Sequence, residues 1–197
     1  LLCIGAMAQA EVLYTSGTGD SGGNNPFSYN DIFVAQPFNF ATDAVIDSFT
    51  FNAFTTDATV AVDNVFVKFY QNNAGVVGTE LFSGAFNIAN QSVTGHNNGY
   101  TQQDYTVNLG GVNLAAGDYF IGVRATPAQW DLHWSMVDGQ STGFLGNATG
   151  DATAYINPTF THVFALNGAP VPEPETYAMM ALGLAGLAFM RKRRQVA

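Results

Sequence analysis

The sequence predicts an all-β protein, an antiparallel β-sandwich, on three observations. Runs rich in Phe, Tyr, Val and Thr recur along it, and these residue types favour pleated backbone; the 197 residues include 16 Phe and 8 Tyr. Gly, with 21 copies, and Asn-Gly-type clusters punctuate the runs where tight turns would fall. Away from the C-terminal end no long stretch carries a helical period, whereas about eight or nine short strand-like segments follow one another at regular spacing.

Taken in order, residues 15–25 form a polar, glycine-rich loop, and Phe27 to Phe40 is aromatic and extended. From Val45 to Ala53, the set Val45, Asp47, Phe49, Phe51 and Ala53 is mostly apolar and alternates with more polar neighbours, as in a half-buried strand. Val60 to Tyr70 is the strongest strand: Val65, Val67 and Phe69 take one face, Phe66, Lys68 and Tyr70 the other, which suits a central position. Asn72-Asn73-Ala74-Gly75 is a turn. Glu80 to Ile88 and Asp104 to Leu109 read as strands, with Ser92 to Asn98 a polar loop between them. Gly117 marks a turn before the alternation of Tyr119, Ile121 and Val123, and Trp130–Val137, Asp151–Ile156 and Phe160–Leu166 complete the set.

Both ends differ from this body. Leu1 to Ala10 is apolar and closes on Ala8-Gln9-Ala10, small residues two apart, as at the end of a secretory signal peptide. The reading is a truncated signal peptide over residues 1–10, cut by signal peptidase after Ala10. Cys3, the single cysteine, permits no intrachain disulfide. The body is residues 11–170. Beyond it Pro172-Glu173-Pro174 is stiff and extended. The charge-free run Tyr177 to Met190 follows, then Arg191, Lys192, Arg193 and Arg194. Clustered cations behind an apolar run mark the cytoplasmic end of a membrane span. The run is shorter than the usual span of about 20 residues, and snorkelling Arg and Lys stems would extend it. The expectation is a single C-terminal transmembrane helix; the competing reading is a helix packed on the body.

Pro172, Glu173 and Pro174, the apolar run with Gly183 and Gly186, and the basic cluster at Arg191–Arg194 together resemble the PEP-CTERM sorting signal of exported bacterial proteins, over residues 171–197. The resemblance implies recognition by exosortase, a membrane-embedded protease, with Pro172, Glu173 and Pro174 as the recognition motif. It also implies an inner-membrane intermediate, then release or attachment at the cell surface or outside the cell. Such signals sit on unrelated bodies, so the tail gives a destination and no activity. The series Phe66-Val-Lys-Phe-Tyr70, Asn72-Asn-Ala-Gly-Val-Val-Gly78 and Leu114-Ala-Ala-Gly-Asp-Tyr-Phe-Ile-Gly-Val123 resembles the jelly-roll-like bodies found ahead of these tails, which implies a β-sandwich without catalysis.

Between Glu11 and Pro170 stand 13 acidic residues and two basic ones, Lys68 and Arg124, a net charge of −11. Such a body lacks the Lys and Arg that displace counterions from nucleic acid. It is compatible with neutral glycans and divalent cations. Trp130 and Trp134 could stack on sugars, but in a strand they share a face with Leu132 and Met136 and read better as core, with Asp131, His133 and Ser135 outward. His96, His133 and His162 lack zinc-ligand spacing, and no Gly-x-Ser-x-Gly elbow is present, so no enzyme is expected. No cofactor is expected; calcium is the ion that loop oxygens would suit, with Asp20 and Asp138 as the candidate ligands. Asn90-Gln-Ser92 and Asn147-Ala-Thr149 match glycosylation sequons. The sequence therefore predicts an exported surface or extracellular-matrix protein, as in a biofilm, with a structural or adhesive role. The alternative is a carbohydrate-binding module whose partner is extracellular polysaccharide.

Overall fold

The computed structural model describes residues 10–17, 21–26, 33–55, 62, 64–97, 100–126, 132–138, 143–145, 155–157, 160–171, 179–185 and 191. Thirteen strands lie among them: β1 (Glu11–Thr15), β2 (Ser21–Pro26), β3 (Val34–Phe40), β4 (Ala44–Thr55), β5 (Asn64–Asn73), β6 (Val76–Asn97), β7 (Tyr100–Leu114), β8 (Gly117–Thr126), β9 (Leu132–Asp138), β10 (Gly143–Leu145), β11 (Tyr155–Asn157), β12 (Phe160–His162) and β13 (Phe164–Pro170). They join in one curled sheet of order β1-β13-β4-β7-β6-β5-β8-β3-β10-β11, with β9 bridging β2, β12 and the end of β4. The register of these pairings is antiparallel throughout, as in β4 against β7, β5 against β6 and β3 against β8.

The curl is made by β6. Its first half pairs with β5, from Val76↔Asn73 to Asn87↔Asn64, and its second half with β7, from Ile88↔Val107 to Asn97↔Tyr100. One strand thus passes between two halves of the sheet, whose inner faces meet over a shared core, while Ala35, Tyr70 and Phe120 form a smaller buried cluster. Phe38 of β3 reaches Tyr14 of β1 (5.8 Å between ring centroids) and Phe164 of β13 (6.5 Å) across that core. Phe49, Phe51, Val65, Val67, Phe69, Tyr105, Val107, Ile121, Val123, Trp134 and Leu166 are fully enclosed. The two faces read for Val65–Tyr70 hold: Val65, Val67 and Phe69 are buried inward, and β5 lies between β6 and β8.

In β4 the expected alternation is half right. Phe49, Phe51 and Ala53 are buried, but at the start of the strand Ile46 is buried in place of Val45 and Asp47. Against β7, Ile46 pairs with Val112 and Ser48 with Asn108; against β13, Ile46 pairs with Gly168 and Ser48 with Asn167. Against β13 Asp47 is the additional residue of a bulge, whereas against β7 the additional residues lie on β7, between Asn108 and Val112; one added residue in β4 reverses which of its side chains face the core. Gly168 lies against this bulge: a Cβ there would come within 2.0 Å of the Val45 carbonyl oxygen.

The expected loop at 15–25 contains β2, which pairs Asn24 with Ser135 and Asn25 with Trp134 of β9. The expected loop from Ser92 is the end of β6, paired to β7 as far as Asn97. In both, the sequence offers no apolar alternation, and backbone pairing to a neighbour makes the strand. The turn at Asn72–Gly75 holds: Ala74 and Gly75 both take positive φ (54° and 89°), and the Gly75 N–H donates to Asn72 Oδ1 at 2.7 Å. A two-residue hairpin loop calls for that backbone hand.

The expected transmembrane helix is not seen as such. Residues 179–185 are helical and exposed, and no helix among the described residues is long and apolar enough to cross a membrane. The rest of the charge-free run, residues 177–178 and 186–190, lies outside the described residues. The competing packed helix does not fit either, since Met179, Met180, Leu182 and Leu184 are 59–68% exposed.

Candidate functional site: a polar groove and the base of the C-terminal tail

Along β4, Phe49, Phe51 and Ala53 point inward, so Ser48, Thr50 and Asn52 take the outer face; along β7, Tyr105 and Val107 point inward and Asp104, Thr106 and Asn108 outward. The register sets these outer residues side by side, with Ser48 opposite Asn108, Thr50 opposite Thr106 and Asn52 opposite Asp104. The Thr50 and Thr106 hydroxyls are 3.0 Å apart, and Asn167 Nδ2 of β13 donates to Ser48 Oγ at 3.4 Å. The outer face of this half is therefore a lattice of hydroxyls and amides.

Asn52 is its centre. Its Nδ2 donates to Asp104 Oδ1 (2.6 Å) and Thr94 Oγ1 (3.2 Å), and its Oδ1 accepts from Gln102 Nε2 (2.7 Å) and Ser135 Oγ (2.5 Å). Its backbone N–H donates to the Val163 carbonyl at 3.2 Å. Both ends of this buried amide are satisfied, so its orientation is fixed, and a buried polar network of this kind is rigid. Next to it opens a groove of about 470 Å³ whose polar lining is Thr15, Thr50, Asn52, Thr94, Gln102 and Asp104, with Val163, Phe164 and Ala165 also lining it.

Below Asn52 lies a second polar contact, wholly buried. Gln36 of β3 holds His162 of β12 at two points: Nε2 lies 2.7 Å from His162 Nδ1, and Oε1 accepts from the His162 N–H at 3.3 Å. The second bond fixes the amide, so Nε2 is the donor and Nδ1 the acceptor, the neutral tautomer. Burial pushes the imidazole pKa down from 6.5 to about 3. His162, within the Phe160–Leu166 segment read from sequence as a strand, is a neutral core histidine beside Trp134, 4.6 Å between ring centroids.

Trp134 is fully buried and its Nε1–H donates to the Val163 carbonyl at 2.8 Å, so it is core and not a stacking platform. Ser135 was expected outward and is 1% exposed: β9 pairs edge to edge with the end of β4, and the Ser135 hydroxyl donates to Asn52 Oδ1 on that neighbouring strand. Trp130 and Asp20 lie outside the described residues, and Asp138 falls on β9 without a described side chain. Among the described residues no group of three or more His, Cys, Asp or Glu is placed to hold a metal.

The body's two cations are occupied elsewhere. Lys68 Nζ bridges Glu80 at 2.8 Å, which holds the Glu80 carboxyl below its ordinary range, and lies 5.1 Å from the Phe33 ring centre. Arg124 stacks on Phe33 and Phe66 at 5.0 and 4.5 Å. Neither lines the groove, whose described lining is neutral apart from Asp104.

The tail leaves from β13. That strand is paired on both sides, to β1 and to β4, and the Val171 N–H donates to the Asp43 carbonyl at 2.8 Å just past its end. Pro172, Glu173 and Pro174 lie outside the described residues, as do Lys192, Arg193, Arg194 and Ala8; Arg191 is helical and exposed. Ala10 is exposed and β1 begins at the next residue, with Glu11 opposite Gly168. The sequence did not single out Asn52, Thr94, Gln102 or Asp104. Their only local signal is the polar half of an alternation, and the register that assembles them is not written in any one strand.

Residues 170–194 match the family model of the PEP-CTERM protein-sorting motif. No curated protein matches the chain. The motif implies export to the cell surface or beyond and processing by exosortase.

Proposed function

We propose that this is an exported surface protein with a structural or adhesive role in the extracellular matrix, such as that of a biofilm, and no catalytic activity. The observation that carries this is the junction at Pro170. There the sorting motif continues directly from a strand hydrogen-bonded on both edges, so a body already folded can be delivered while the tail is handled separately. The jelly-roll-like reading of the body suits this role, as does a polar outer face built of hydroxyls and amides. Residues 1–10 belong to an export signal removed by signal peptidase after Ala10, and the apolar run with Arg191–Arg194 holds an inner-membrane intermediate. No cofactor is needed.

The test is processing in a host that carries exosortase. Wild-type protein is expected at the surface or in the medium, with an intact mass that starts at Glu11 and lacks the basic cluster. Replacing Pro172 and Pro174 with Ala is expected to leave the chain unprocessed in the membrane fraction. Normal processing of that double variant would refute the sorting role of the motif.

A further inference from the structure

We propose that the groove beside Asn52 binds a neutral, hydroxyl-rich polysaccharide through hydrogen bonds. This gives the adhesive role above a ligand class and a place, and so rests on that reading. The groove lining mixes donors and acceptors at short spacing: the hydroxyls of Thr15, Thr50 and Thr94 and the carboxylate of Asp104. Sugar hydroxyls are both donors and acceptors, and neighbouring strands about 4.8 Å apart set such groups at the scale of one sugar ring. Asp104 spends Oδ1 on Asn52, which leaves Oδ2 to accept from a ligand hydroxyl. Asn52, with its amide fully engaged, acts as the support that holds Asp104, Gln102 and Thr94 in place. Pre-set polar groups lose little entropy when a ligand arrives.

The charge pattern selects against other polymers. Lys68 and Arg124 are the body's only cations and both are engaged around Phe33, away from the groove. An acidic or phosphorylated polymer would meet Asp104 and a body of net charge −11. The groove is not an enclosed cavity, so a segment of a polymer can enter it. Beyond its mouth Ser48, Thr106, Asn108 and Asn167 continue the same chemistry across β4, β7 and β13.

The experiment is affinity electrophoresis of the full chain in dimethyldodecylamine-oxide micelles, a detergent without a sugar headgroup. The native gels carry dextran, xylan, hydroxyethylcellulose or alginate. The expected result is retardation by at least one of the three neutral polymers, none by alginate, and no change with a chelator. Thr94→Val and Asp104→Ala are each expected to weaken retention at least fivefold, and Asn113→Ala, on the far part of β7, to leave it unchanged. Near-UV circular dichroism checks that each variant is folded, and the exposed Thr94 supplies the readout should Asp104→Ala fail that check. No retardation on any neutral gel, retention equal in folded Thr94→Val, equal retention on alginate, or loss with chelator would each overturn the proposal. None of these outcomes touches the processing of the Pro172 and Pro174 variant, so the two readings fail separately.

Discussion

His162 shows what a single buried residue adds to the behaviour of the chain. In the folded protein its pKa falls to about 3, against 6.5 ordinarily, because burial disfavours the charged ring, and Gln36 Nε2 already donates to the atom that would take the proton. Above pH 6.5 the ring is neutral whether folded or not, and its contribution to stability is fully present. As pH falls from there towards 3, the unfolded chain binds a proton that the folded one refuses, and stability drops by about 1.4 kcal/mol per pH unit from this group. Urea unfolding at pH 7 and pH 5 is expected to show a loss of about 2 kcal/mol, and His162→Gln to flatten that difference. An unchanged slope in the variant would mean that another group carries it. The sequence could name His162 as a strand residue but not as a buried one. Its partner stands 126 positions away, and no local pattern encodes that distance.

At the scale of elements, two backbone positions are set by close geometry. Gly168 faces the β4 bulge with the Val45 carbonyl where a side chain would go, so Gly168→Ala is expected to cost about 1–3 kcal/mol, as overpacking does. Ala74 sits at φ 54° in the β5–β6 turn, where an L-residue is strained, and Ala74→Gly is expected to relieve about 1 kcal/mol. Thermal unfolding of the two variants checks both signs at once. The strands around these points show what was legible. Val65, Val67 and Phe69 announced their face because their strand is regular, and Val45 misled because Asp47 is inserted. A bulge is a relation between neighbouring strands, so the phase error could not be seen from β4 alone. β2 and the end of β6 went unread for a related reason: their polar side chains carry no period, and only the backbone ladder makes them strands.

For the whole molecule, the division into a β body and a C-terminal sorting signal was legible because each has its own chemistry. The curl was not, since it depends on β6 changing partners midway. The groove residues were not, since they come together only through that pairing. The described part of the tail helix is exposed, so ending the chain after Val171 is expected to leave the melting temperature within about 2 °C of the full chain, a shift well under 1 kcal/mol. Ending it before Phe164 removes a strand from between β1 and β4 and is expected to abolish the cooperative transition. Calorimetry of the two truncations distinguishes them, and a large shift in the first would mean that the body leans on the tail.

The antiparallel match of Glu11 with Gly168 places the residue after the proposed leader cut next to the root of the sorting segment. A particle fastened by either segment, or by both, would stand with the same pole towards the lipid. Trimming would then leave two neighbouring stumps at that pole, and every stage of delivery would present the same opposite hemisphere to the surroundings.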